Sequence, residues 1–217
     1  LCVLPIYHIN GMCVTVMGTI VSASALVIPY KFSVDSFWKI IAKFKCSWFS
    51  AVPTQFSYIL NYKETPEDIS SLRFARSASA PLSPDIHKKF EKRFNIPIIE
   101  TMGLTETGSQ ITTNPMPPGE RKIGSPGKAY GNQIMIGDDQ FEALPAGETG
   151  EILVKGDNVM QGYFKQPEET NKTILVNGWL RTGDLGYLDN DGYVFVSGRI
   201  KELIIKGGEN IAPREID

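Results

Sequence analysis

The sequence predicts an α/β protein: part of a parallel sheet flanked by helices, followed by a small antiparallel β-barrel-like subdomain and the start of a C-terminal α+β lobe. Three observations carry this prediction. Apolar runs of strand length alternate with helical periodicity over the first hundred residues, as parallel strands joined by helices require. From about Pro115 turn-forming pairs recur at short intervals, with β-rich runs between them. The 217 residues are 42% hydrophobic and 21% charged, the balance of an ordinary globular chain and not of a disordered one.

Taken in order, residues 11–22 read as a helix and residues 25–28 as a short buried strand ending at Pro29. The stretch 12–29 is apolar, but Thr15, Thr19, Ser22 and Ser24 interrupt it, and a membrane span needs about 20 predominantly apolar residues. No transmembrane segment is expected, and no basic region precedes the stretch to make it a signal peptide. Val34, Phe37, Trp38, Ile41 and Phe44 recur at helical spacing behind Ser33, a candidate N-cap. Strands are expected at 47–52, 72–77 and 97–101, with helices opening at Pro53, where proline suits a first turn, and at Ser83-Pro84. In such sheets ligands sit at the C-terminal ends of the strands. Beyond Pro115 the expected strands are 133–136, 151–155, 187–189 and 193–197, separated by turns such as Ser125-Pro-Gly127 and Asn190-Asp-Gly192. The expected division is 1–115 for part of the α/β region, 116–199 for the β-rich subdomain, and 200–217 for a hinge and the first strands of a further lobe.

Composition excludes several classes. A formal net charge of −2 without like-charge runs argues against nucleic acid or an anionic membrane as partner. Cys2, Cys13 and Cys46 are odd in number and lack a Cys-x-x-Cys pair, which fits reduced thiols in a cytoplasmic protein. His8 and His87 are the only histidines, too few to suggest zinc.

Two segments carry chemistry. Residues 102–108 read Met-Gly-Leu-Thr-Glu-Thr-Gly, a hydroxyl beside a carboxylate in a Gly-flanked turn behind an apolar strand. The Thr105 hydroxyl can donate to a phosphate oxygen while Glu106 offers a hard oxygen to Mg²⁺; a helix cap is the plainer use of Thr105. Asp184 and, fifteen positions later, Arg199 suit the hydroxyls of a ribose. A turn cap and an exposed ion pair, worth at most about 1 kcal/mol, are the plainer uses of those two. The run Ser77-Ala-Ser-Ala-Pro81 is either a tight turn or a place where a flat ring approaches the backbone. A phosphate grip and a sugar grip on one chain point to a nucleotide site.

In order and wording these segments closely resemble the adenylate-forming enzymes, and within them the AMP-forming acyl-CoA synthetases, over essentially the whole chain. The resemblance implies that Thr105 binds the AMP phosphate and that Glu106 holds the metal. It implies that Ser77, Ala78, Ser79, Ala80 and Pro81 line the adenine pocket, with Gly103 in the same nucleotide set. Ala78 and Ser79 replace two glycines of the family there, and Met102 stands where many relatives stack an aromatic on adenine. Asp184 and Arg199 take the ribose. Lys201 takes the hinge about which a C-terminal lobe swings between adenylation and thioester formation. Lys206, Gly207 and Gly208 match a loop lining the coenzyme A tunnel, with a plain β-turn as the rival reading. His8, in Leu4-Pro-Ile-Tyr-His-Ile-Asn-Gly11, falls at the acyl pocket, with a satisfied turn or core histidine as its rival. The Gly150-Glu-Ile-Leu-Val-Lys-Gly156 block and Gly162-Tyr-Phe are expected as barrel strands. Phe49, Phe56, Tyr58 and the turn after Glu106 are candidates for the walls of an apolar acyl pocket, with medium- or long-chain acyl, aryl and carnitine-like acids all open.

The implied activity is ATP-dependent ligation of a small-molecule carboxylic acid to coenzyme A through an acyl-adenylate, with ATP/AMP, Mg²⁺ and coenzyme A as cofactors. Adenylation feeding a carrier-protein thiol, and a non-catalytic nucleotide-binding or interaction module, are the alternatives. The family's phosphate-binding loop and most of its C-terminal domain have no counterpart in these residues. The chain alone is therefore expected to be an inactive fragment that self-associates through exposed edges.

Overall fold

A computed structural model describes residues 1–64, 68–202, 204–206 and 209–211. A π-helix (Asn10–Met17) runs into α1 (Gly18–Val21). Thr15 and Thr19 return their hydroxyls to the carbonyls of Gly11 and Thr15, i−4 contacts that loosen helical geometry. Residues 25–28 form no strand; among the described residues their tie to the N-terminal segment is the Val27 carbonyl, accepting from the Cys2 N–H at 2.9 Å.

From there the expected alternation holds: α2 (Val34–Phe44), β1 (Trp48–Ala51), α3 (Pro53–Asn61), β2 (Phe74–Ser77), α4 (Pro84–Phe94) and β3 (Ile98–Leu104). Ser33 precedes α2 in extended geometry without a side-chain cap bond, and Lys45 closes that helix at φ 47°. β1, β2 and β3 pair in parallel. The main core lies between this sheet and its helices, with Phe37 and Ile41 of α2, Phe49 of β1, Phe56 and Ile59 of α3, and Phe90 of α4. Its rings meet edge to face, Phe37 on Phe49 at 5.0 Å and Phe56 on Phe90 at 5.1 Å, a preferred aromatic arrangement. Phe49 and Phe56 are thus consumed by the core, and Tyr58 is exposed; none of the three walls the cleft described below.

The sheet is mixed, because after β3 the chain folds back. A single 3₁₀ turn (Thr105–Thr107) reverses it into β4 (Ser109–Thr113), antiparallel to β3, and β5 (Lys128–Ala129) adds a further edge. A bulge at Met102/Gly103 makes the reversal possible, and a Cβ on Gly103 would stand 1.9 Å from the Ser109 carbonyl oxygen.

The antiparallel β subdomain is a four-stranded sheet in the order β6 (Gln133–Gly137), β7 (Gly150–Lys155), β8 (Leu180–Leu188) and β9 (Val194–Arg199). β7 is the expected Gly150 block, whereas Gly162-Tyr-Phe is loop and not strand. A short α5 (Pro167–Thr173) follows that loop. Ile136, Ile152 and Val194 form the subdomain's own core, against which Met102 packs from the first sheet. A 3₁₀ turn (Ile200–Glu202) leads to the two-stranded β10 (Ile204–Lys206) and β11 (Glu209–Ile211).

Candidate nucleotide and acyl site

The 3₁₀ turn sits where parallel-sheet proteins place ligands, beyond the C-terminal end of β3. Thr107 builds it from inside: its buried hydroxyl accepts from the Leu104 N–H at 3.2 Å and donates to the Leu104 carbonyl at 3.1 Å. Thr105 is left exposed, and among the described residues its hydroxyl makes no hydrogen bond. The loop before α5 then clamps the turn. The Met160 N–H donates to the Glu106 carbonyl at 2.7 Å, Asn158 Nδ2 to the Thr107 carbonyl at 3.1 Å, and the Tyr163 hydroxyl to Glu106 Oε1 at 2.8 Å. Burial and then the Glu106 carboxylate push the Tyr163 phenol above its ordinary value, so it stays a donor. Glu106 forms no ion pair among the described residues, and no group of three or more His, Cys, Asp or Glu there could cage a metal. One carboxylate beside a hydroxyl is the donor set expected for Mg²⁺, which keeps several waters and relies on substrate phosphates. The residues present fit that ion.

Asp184 and Arg199 face each other in register across β8 and β9, and Arg199 Nε donates to Asp184 Oδ1 at 2.7 Å. Asp184 is buried, and burial lifts its carboxyl above the usual value even against the adjacent guanidinium. Next to them the Gly183 N–H and Arg181 Nε both donate to the buried Glu151 carboxylate, at 3.0 and 2.9 Å.

A cleft of about 710 Å³ lies between the two sheets. His8, Ala78, Ser79, Gly103, Thr105 and Glu106 reach it from one side, Arg199 and Lys201 from the other. Ser77 does not; it is buried at the end of β2 with its hydroxyl unpaired among the described residues. Ala80 and Pro81 are exposed outside the lining, Met102 packs on the second core, and Asp184 lies behind Arg199. Lys201 sits in the 3₁₀ turn directly after β9. Lys206 ends β10 in register with Glu209, while Gly207 and Gly208 fall outside the described residues.

Two cleft features were not anticipated. Tyr163 was visible only as part of a sequence block and not as a partner of Glu106. Arg76 lines the cleft from β2, 6% exposed, with Asn10 and Ser79 beside it. Its Nη1 donates to Asn10 Oδ1 at 2.6 Å and Ser50 Oγ at 3.0 Å, and its Nε and Nη2 reach Gln110 Oε1 at 3.4 and 3.2 Å. Asn10 Nδ2 continues the network to Ser79 Oγ at 3.1 Å. A charged side chain inside the short run Phe-Ala-Arg-Ser was the available signal.

With this geometry in place, comparison with known proteins identifies the family. Residues 1–164 match the AMP-binding enzyme family. The chain belongs to that family. Among curated relatives of this AMP-binding chain, a sulfoacetate–CoA ligase from Cupriavidus necator is 49% identical over 219 residues, covering 100% of this chain and 42% of the relative. An oxalate–CoA ligase from Saccharomyces cerevisiae is 39% identical and covers 99% of this chain and 40% of the relative. The chain therefore spans about two-fifths of the length of these relatives. ATP-bound MatB from Rhodopseudomonas palustris superposes with a TM-score of 0.93 at 35% identity, over 99% of this chain and 43% of that one. The o-succinylbenzoate coenzyme A synthetase of Bacillus subtilis in complex with ATP and magnesium ion gives 0.87 at 34% identity, over 99% and 44%.

Proposed function

We propose that these residues form the nucleotide and acyl face of an ATP-dependent carboxylic acid–CoA ligase. The observation that carries the reading is the single cleft on which Thr105, Glu106, His8, Arg199 and Lys201 converge from two sheets and a hinge turn. The names of the relatives agree with it, and the acids in two of them, sulfoacetate and oxalate, are short and carry a second acidic group.

In the first half-reaction a carboxylate oxygen attacks the α-phosphorus of ATP, and pyrophosphate leaves with the electrons of the broken bond. Thr105 donates to the adenylate phosphate, Tyr163 and the Met160 N–H hold Glu106 in place, and Asp184 with Arg199 engages the ribose. Glu106 would hold Mg²⁺, which supplies positive charge to the phosphates. Ala78 and Ser79 flank the base, and His8 stands at the acyl end of the cleft. After rotation at Lys201 the coenzyme A thiol, losing its proton, attacks the acyl carbon and AMP leaves; Lys206, Gly207 and Gly208 belong to the thiol approach. Such transfers depend on positioning and charge stabilisation and need no protein nucleophile.

The test is pyrophosphate release from ATP by the whole protein across a panel of carboxylic acids, with and without coenzyme A. Acid-dependent release with thioester formation is expected. Release without coenzyme A consumption would shift the acceptor to a carrier-protein thiol. AMP binding without release for any acid would leave a nucleotide-binding module.

A further inference from the structure

We infer that Arg76 is the specificity residue of the acyl end of the cleft, and that it selects a short acid carrying a second anionic group, carboxylate or sulfonate. The inference rests on the ligase reading above and narrows its substrate class.

A buried guanidinium is costly to desolvate unless an anion or a full set of acceptors answers it. Among the described residues no carboxylate lies within ion-pairing distance of Arg76: Asn10, Ser50 and Gln110 are all neutral. Burial lowers its pKa to about 10, which still leaves it charged at neutral pH. These hydrogen bonds occupy one N–H on Nε, two on Nη1 and one on Nη2, so among the described residues one of the five guanidinium N–H groups is unused. A buried, uncompensated cation on the wall of a ligand cleft is complementary to an anion supplied by the ligand.

The surroundings set the size of that ligand. Gly103 adds no side chain to the cleft that Arg76 lines, and the large apolar residues that could have walled a hydrocarbon tunnel, Phe49 and Phe56, are locked in the core. Asn10 holds the arrangement: its carbonyl fixes Nη1 and its amide holds Ser79, which sits at φ 75° where the chain turns into the cleft. The cation is thereby oriented by a network in which every partner is neutral, so that an entering anion has no competing carboxylate to displace.

The experiment measures kcat/KM for pyrophosphate release by the whole protein with oxalate, malonate and sulfoacetate against acetate, propionate and octanoate. The wild type is expected to favour the first group. Arg76→Gln is expected to lower the ratio between the groups about ten- to hundredfold, chiefly through KM, as loss of a charged hydrogen bond implies. Arg76→Lys keeps the charge and is expected to fall between the two. AMP affinity of each variant reports folding, and the wild-type preference is independent of any variant. A wild type that prefers neutral-tailed acids, or a variant that slows both groups equally, overturns the inference while the ligase reading stands. Failure to release pyrophosphate with every acid, by a protein that still binds AMP, overturns both.

Discussion

At the scale of single residues the cleft depends on side chains that position others. Tyr163 donates to Glu106 and has no other place in the proposed chemistry, so removing its hydroxyl tests that contact. A hydrogen bond to a charged group contributes about 1.5–3 kcal/mol. Tyr163→Phe is expected to raise the magnesium concentration needed for half-maximal pyrophosphate release about tenfold, with AMP binding little changed; an unaltered magnesium titration would show that Glu106 is held without it. Asp184→Asn is expected to weaken AMP binding about tenfold, measured by calorimetry, because the amide loses both the Arg199 pairing and one acceptor for a sugar hydroxyl. These two sites were unequally legible in the sequence. Asp184 and Arg199 stand fifteen positions apart, and the hairpin that sets them in register was anticipated only in part, since β8 begins at Leu180 and not near Tyr187. Nothing in the order of residues brings Tyr163 to Glu106, because a loop of no regular pattern makes that contact.

At the scale of elements, strands and helices with clear periodicity were legible, and those defined by backbone reversal were not. β1, β2, β3 and the helices between them follow from apolar spacing and proline positions, whereas β4 exists because Gly103 lets β3 bulge and fold back on Ser109. Residues 25–28 have the composition of a strand but lack a partner ladder, and composition alone does not supply one. Gly103→Ala tests the reversal directly. Its Cβ would meet a backbone oxygen at 1.9 Å, and overpacking of this kind costs about 1–3 kcal/mol, so a lowered Tm and weakened AMP binding are expected together. A second element-level test concerns α4, tied to β3 through His87, whose Nδ1 and Nε2 lie 2.8 and 3.0 Å from Glu100 and Glu91. Burial opposes the imidazolium, but the two carboxylates outweigh it and raise the His87 pKa. Burial likewise opposes ionised Glu91, yet His87, Arg121 and the Ile98 N–H bring it down to about 2. The His87 contribution is therefore full below its unfolded value near 6.5 and is lost as pH rises through the folded value; that of Glu91 is full above 4.5 and is lost as pH falls toward 2. Thermal stability should peak between these limits, and His87→Gln should flatten the alkaline limb; an unchanged limb would remove His87 from the account.

At the scale of the whole molecule, exposed apolar surface is unevenly distributed. Ile6, Tyr7, Met12, Met17, Ile20, Val21, Ile28 and Tyr30 are all large, apolar and exposed, and all fall within the first thirty residues, around the π-helix and α1. The main core does not need these side chains; it is closed by α2, α3 and α4. Scattered exposed hydrophobics are ordinary, but a concentration in one segment marks a surface prone to association. The 217-residue chain by itself should therefore form species larger than a monomer at micromolar concentration, as light scattering coupled to size exclusion would show. Ile20→Glu together with Val21→Glu, at positions 65% and 83% exposed, should restore a monomer without lowering Tm, since neither side chain contributes to the core. A monomeric wild type would show that this surface is tolerated by water as it stands, and an unfolded double variant would show that the helix it lies on is held by contacts from its outer face.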